Sequence, residues 1–148
     1  MPGLKMSLPN SVFKFPIRVY WEDTDAGGIV FYANYLKFFE RSRTEWLRSL
    51  GIEQFDLKEQ TGGMFVVAET NLRYLRPARL DDELIVTASI KKKGRSAMII
   101  EQQALLKTEQ LDQTGALICE GSVRIAWLNA ATLQPARMPQ QLLDCFNS

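Results

Sequence analysis

Residues 20–46 read YWEDTDAGGIVFYANYLKFFERSRTEW, with three acids and two glycines set directly before an aromatic run. From Phe31 onward, Phe31, Tyr35, Phe38, Phe39, Trp46, Leu47 and Leu50 recur near 3.6-residue spacing. Lys37, Arg41, Arg43, Glu45 and Arg48 fall mostly off that stripe. The pattern predicts an amphipathic helix of about five turns from Phe31, closed by Gly51 as its C′ residue. Ser42 lies on the stripe, where a small side chain lets the helix approach its partner. The long aromatics on either side call for a broad concave partner such as a curved sheet.

Upstream, FPIRVYWED alternates Ile17, Val19 and Trp21 against Arg18, Tyr20 and Glu22, which predicts a half-buried strand broken by Gly27-Gly28. Downstream, strands are expected over Met64–Tyr74, Glu83–Lys91, Ala97–Lys107 and Ala116–Leu128, where residues such as Leu84, Val86, Ala88 and Ile90 alternate. The short polar segments KKKGRS and EQLDQTG join the last three as antiparallel hairpins. Strand, long helix, then an antiparallel meander define an α+β domain with the helix laid across one sheet face.

Composition narrows the chemistry. A chain of 148 residues suits one domain, here with an ordered core expected over about 13–138. Eighteen Lys and Arg against 17 Asp and Glu leave a net charge of +1, so no global field argues for nucleic acid. Cys119 and Cys145 form no metal or disulfide framework and suit a reduced, cytoplasmic protein. The N-terminus lacks a secretory signal pattern, and no apolar run reaches the roughly 20 residues of a membrane span. There is no histidine, which excludes Ser-His-Asp and Cys-His machinery and the commonest zinc sets. Acid–base work must fall to carboxylates, Lys, Tyr or Cys, with no metal or cofactor expected.

The acidic loop then has few uses. As a calcium loop opening at Asp23, it would put Gly27 and Asn34 where an oxygen ligand and a bidentate Glu are needed. As a phosphate loop it matches neither glycine fingerprint and carries repelling acids. Asp23, Thr24 and Asp25 could simply cap the turn. The flanking Tyr20, Trp21, Ile29, Val30, Phe31 and Tyr32 favour a pocket instead. A carboxylate beside helix N–H groups near Phe31 and Tyr32 suits acyl transfer, with Asp25 as nucleophile or general base.

At these residues the chain resembles the 4-hydroxybenzoyl-CoA thioesterase family of hotdog-fold proteins, in particular its Tol-Pal-associated, YbgC-like acyl-CoA thioesterase branch. The D-x-D-x-x-G-I-V-x-Y-x-N-Y core from Asp23 to Tyr35 carries the resemblance, supported by FVVAETNLRYLRPARLDDELIV over 65–86. It implies a hotdog fold, a curved antiparallel sheet around one long helix, in edge-to-edge homodimers or a homotetramer built as a dimer of dimers. It implies that Asp25 is the catalytic carboxylate and that the Tyr32 N–H polarises the carbonyl. Gly28, Ile29, Val30 and Phe31 would line the substrate, with Phe65, Val66 and Val67 from the second subunit. The branch usually carries His at position 32, and the backbone role is indifferent to that change.

Lys92, Lys93 and Arg95 crowd a hairpin that could hold the CoA phosphates or merely discourage edge pairing. Arg73, Arg76 and Arg79 form a second basic group, expected to pair in part with Asp81 and Asp82. Trp21, Trp46 and Trp127 are expected in the core or an interface. The reading that follows is a cytoplasmic acyl-CoA thioesterase. The alternative is a non-hydrolytic module that binds acyl thioesters or acyl carrier protein at the cell envelope.

Overall fold

The structure, a computed structural model, describes residues 12–109 and 114–147. Strand β1 (Phe13–Arg18) leads through a 3-10 turn at Trp21–Asp23 to α1 (Asn34–Ser49) and α2 (Gln54–Thr61). Then come β2 (Gly63–Tyr74), β3 (Glu83–Lys93), β4 (Ala97–Lys107), β5 (Thr114–Asn129) and α3 (Gln140–Cys145). The sheet is antiparallel throughout in the order β1-β3-β4-β5-β2. The four later strands match the alternation pattern closely, and β3, β4 and β5 pair antiparallel in succession as expected, with most of the EQLDQTG connection lying outside the described residues.

The stripe on α1 packs where its periodicity demands. Tyr35, Phe38 and Phe39 enter one core cluster with Val86, Ala104 and Cys119, while Trp46 and Leu47 enter a second with Ile100, Val123 and Trp127. Ser42 is fully buried and its hydroxyl donates to the Val86 carbonyl at 2.9 Å, so the helix approaches β3 closely at that point. Gln102 adds a second polar tie. Its amide donates to the carbonyls of Phe39 and Thr87, each at 3.0 Å, and fastens helix to sheet. The helix closes as predicted, with Gly51 at φ +84° in a Schellman motif: Ile52 N–H donates to Leu47 O and Gly51 N–H to Arg48 O.

Several expectations are corrected. The first strand ends at Arg18 rather than Glu22, because the Asp23 carboxylate takes the Tyr20 N–H and folds Trp21–Asp23 into the 3-10 turn. Trp21 therefore leaves the strand and is 79% exposed. The helix begins at Asn34 rather than Phe31, since the Phe31 N–H is spent on Asp23 O. The strands do not form a simple meander: β2 lies beside β5 at one edge, so residues 75–82 cross the end of the sheet to reach β3. Helices α2 and α3 were not foreseen, and burial of Leu142 carries the core past residue 138. Among the described residues no helix is long and apolar enough to cross a membrane.

Candidate active site

The loop after the 3-10 turn is a narrow hairpin. Thr24 bridges Val30, the Asp25 N–H donates to Ile29 O at 2.9 Å, and the Gly28 N–H donates back to Asp25 O at 3.0 Å. Such a three-residue loop needs a left-handed residue before its exit, and Gly28 supplies it at φ +79°. The Asp25 Oδ1 accepts the Gly27 N–H at 2.8 Å, fixing the carboxylate above the turn. Asp25 Oδ2 has no hydrogen-bond partner among the described residues.

The two acids of D-x-D have divided roles. Asp23 is 4% exposed, its carboxylate capping Tyr20 N–H at 2.8 Å. Its carbonyl receives both the Phe31 N–H at 3.0 Å and the Asn34 side-chain amide at 2.8 Å. Asp23 thus pins the loop to the start of α1, and Asn34 works through that carbonyl rather than as a cap. Asp25, one alternation further on, is exposed.

Of the helix-start amides, Phe31 N–H is occupied. No hydrogen bond among the described residues takes the N–H of Tyr32. Tyr32 stands two residues ahead of Asn34, so its N–H lies outside the α1 ladder and near the positive end of the helix dipole. Asp25 and Tyr32 are thus two exposed residues on one corner segment between the 3-10 turn and α1, one with an unpartnered carboxylate oxygen and the other with an unspent N–H among the described residues.

The crossing segment braces that corner, which sequence reasoning missed. Val30 N–H donates to Ala78 O at 2.9 Å, Ile29 bridges Arg79, and Leu80 N–H donates to Gly28 O. Ala78 is fully buried and its N–H donates to the Tyr35 hydroxyl at 3.2 Å. Burial raises the Tyr35 pKa, so that hydroxyl stays protonated and fixed. The signal was present in the alanine between Pro77 and Arg79, a small residue where two segments meet. Arg73 pairs with Glu120, Arg79 meets Asp82 only through its backbone N–H, which donates to Oδ2 at 2.9 Å, and among the described residues none of Arg73, Arg76 and Arg79 makes a side-chain ion pair with Asp81 or Asp82.

An aromatic collar surrounds the corner. Phe31 meets Tyr32 at a tilt with ring centroids 4.9 Å apart, Tyr32 meets Tyr74 edge-on at 6.1 Å, and Tyr35 meets Tyr74 at 5.7 Å. These rings are not enclosed: Tyr32 is 62% exposed, and Tyr20 64%. The apolar setting read from the sequence exists, as an open face rather than a cleft.

The predicted residues fall into separate places. Asp25, Gly28, Ile29, Phe31 and Tyr32 are brought together. Val30 is 5% exposed and belongs to the core, so it supports the loop from beneath instead of lining a surface. Phe65, Val66 and Val67 stand at the far end of β2, about 23 to 30 Å from Tyr74 at 3.3 Å per residue. Lys92 and Lys93 end β3 at that same end of the sheet, Arg95 follows in the turn to β4, and Lys93 contacts Asn147. Within one chain neither group reaches Asp25.

A curved antiparallel sheet wrapping one long helix is the hotdog fold. The chain belongs to the thioesterase-like superfamily, whose family model matches residues 19–146. It is 36% identical over 135 residues to the acyl-CoA thioesterase YbgC of Haemophilus influenzae, covering 91% of this chain and 94% of that one. It is 27% identical to a 1,4-dihydroxy-2-naphthoyl-CoA hydrolase of Thermosynechococcus vestitus, over 80% of this chain and 72% of that one. The crystal structure of a probable thioesterase from Bartonella henselae superposes with a TM-score of 0.76 at 32% identity, covering 86% of this chain and 99% of the other.

Proposed function

We propose that the chain hydrolyses acyl-CoA thioesters to a free acid and CoA at a site that two subunits complete. The observation that carries this reading is the juxtaposition of Asp25 and the unspent Tyr32 N–H at one corner. The amide polarises the thioester carbonyl and holds the developing oxyanion, a contribution of about 3 to 4 kcal/mol for a well-placed donor. Asp25 supplies the second element. With Oδ1 held by Gly27, the other oxygen either attacks the carbonyl carbon or takes a proton from water that attacks it. In the first route the C–S bond breaks as CoA thiolate leaves, and water then cleaves the mixed anhydride. In the second, water oxygen forms the new bond directly and the thiolate takes up the proton. A thiolate leaves readily enough for either.

The open aromatic face and the unpaired edge of β2 support a second subunit. Antiparallel pairing of two β2 edges would reverse one chain, bringing the partner's Phe65, Val66 and Val67 toward this chain's Tyr74 and Asp25. The same reversal carries the partner's Lys92, Lys93 and Arg95 toward the site, where they can hold CoA phosphates. A cytoplasmic setting supplies such substrates and keeps both thiols reduced.

The test is release of free thiol from a panel of acyl-CoAs running from short aliphatic through aromatic to long chain. Turnover of at least one class is expected; tight binding of all with no release would support a non-hydrolytic carrier instead. Multiple turnovers in oxygen-18 water, followed by mass measurement of the loop peptide, separate the routes: label in Asp25 marks the nucleophile.

A further inference from the structure

One feature of the helix is left unexplained by packing. Arg43 is half-buried at the wall of a small cleft of about 120 Å³ between α1 and the start of β2. The cleft is lined on its apolar side by Trp46, Phe65, Val66 and Val67. Of the five guanidinium donors, one is used: Nη1 donates to Gln102 Oε1 at 2.9 Å. No carboxylate lies within ion-pair distance among the described residues. Glu40, one turn away, accepts the Thr44 hydroxyl instead. Burial lowers the Arg43 pKa, and the weaker field of Glu40, which lines the same cleft, raises it, so the desolvation of the cation is only partly offset within the chain. The remaining donors are not sealed in, because no fully buried side-chain nitrogen or oxygen among the described residues lacks a partner.

This cleft contains the residues expected to receive the acyl group, and it is too small for a whole ligand, since such pockets usually run to roughly 300–1,000 Å³. We infer that Arg43 selects acyl groups bearing a carboxylate at the end remote from the thioester. The inference rests on the thioesterase reading and names its substrate class. An apolar wall takes the methylenes and the guanidinium takes the terminal carboxylate in a bidentate, charge-assisted pair. A plain alkyl chain fills the same wall and leaves the cation unpaired.

The test uses two non-hydrolysable thioethers of CoA, S-(3-carboxypropyl)-CoA and S-butyl-CoA, measured by calorimetry on the intact protein. The carboxylate ligand should bind about tenfold more tightly than the alkyl one. In Arg43→Met the two affinities should converge, and in Arg43→Lys the preference should shrink without vanishing. Thermal melts accompany both variants, and the Lys variant carries the comparison if the Met variant does not fold. Equal binding by the unaltered protein, a preference for the alkyl ligand, or an undiminished preference in the Arg43 variants would each overturn the inference. Failure of the parent reading looks different: no thiol is released from any acyl-CoA, while the binding preference stays measurable. Absence of binding by both thioethers overturns the inference alone, because the parent reading rests on thiol release from the acyl-CoA panel.

Discussion

Gly28 stands at φ +79° with nothing within 4 Å of the place a Cβ would occupy. Its requirement is conformational, so Gly28→Ala should cost about 1–2 kcal/mol through left-handed strain alone, read as a lower urea midpoint. The same strain should misplace the Asp25 carboxylate and slow turnover beyond what lost stability explains. Cys119 is the opposite case, a side chain hidden rather than displayed. Burial, reinforced by the charge of Glu120, pushes its thiol up to about 12. A folded-state pKa above the unfolded one means that the unfolded chain releases its proton first. The stabilisation is therefore complete below pH 9 and lost as pH climbs toward 12. Melting temperature should fall across that window, and less steeply in Cys119→Ala; Tyr35 and Tyr74, also raised by burial, keep part of the slope. At this scale the sequence was only half legible. D-x-D named both acids, yet which one is buried depends on the 3-10 turn that Asp23 itself creates, a contact no periodicity displays.

Elements with a strong period were readable because burial on one face enforces that period. The α1 stripe and the β3 alternation answer to the same interface, and Ser42 marked the helix side of their closest approach. The order of strands was not readable. Alternation says that β2 has two faces, not that it leaves β3 for the edge beside β5. Helix α2 escaped for a related reason: QFDLKEQT carries no apolar stripe, buries no residue and leaves Phe55 74% exposed. The β2–β5 pairing nonetheless exposes a sharp dependence. A Cβ on Gly121 would stand 2.0 Å from Asn71 O, a backbone atom that cannot swing aside. Gly121→Ala should therefore cost about 3 kcal/mol, the upper part of the range for overpacking, and should loosen the β2 edge. Urea denaturation measures the first effect and amide exchange over 69–74 the second. Ser42→Ala should cost less, about 1–2 kcal/mol, by orphaning one lone pair on Val86 O.

At the scale of the whole molecule, one chain holds the catalytic corner at one end and the acyl and phosphate candidates at the other. An exposed edge strand is ordinarily a hazard, and here Val67 at 52% and Tyr74 at 46% exposure lie along it. In the proposed shared site, pairing with a second copy would remove the hazard and close the distance together. Light scattering on active protein should give a mass of at least two chains, and a fully active monomer would contradict the shared site. The resemblance could imply this assembly, but alternation and composition could not, because both describe a single chain. The most direct measurement of the central claim is kcat for free-thiol release by Asp25→Asn. Asparagine keeps an oxygen to accept the Gly27 N–H, so the turn stands while the charge is gone. The account predicts a fall in kcat of at least about 100-fold with KM little changed. Turnover at the unaltered rate would show that Asp25 does none of the chemistry.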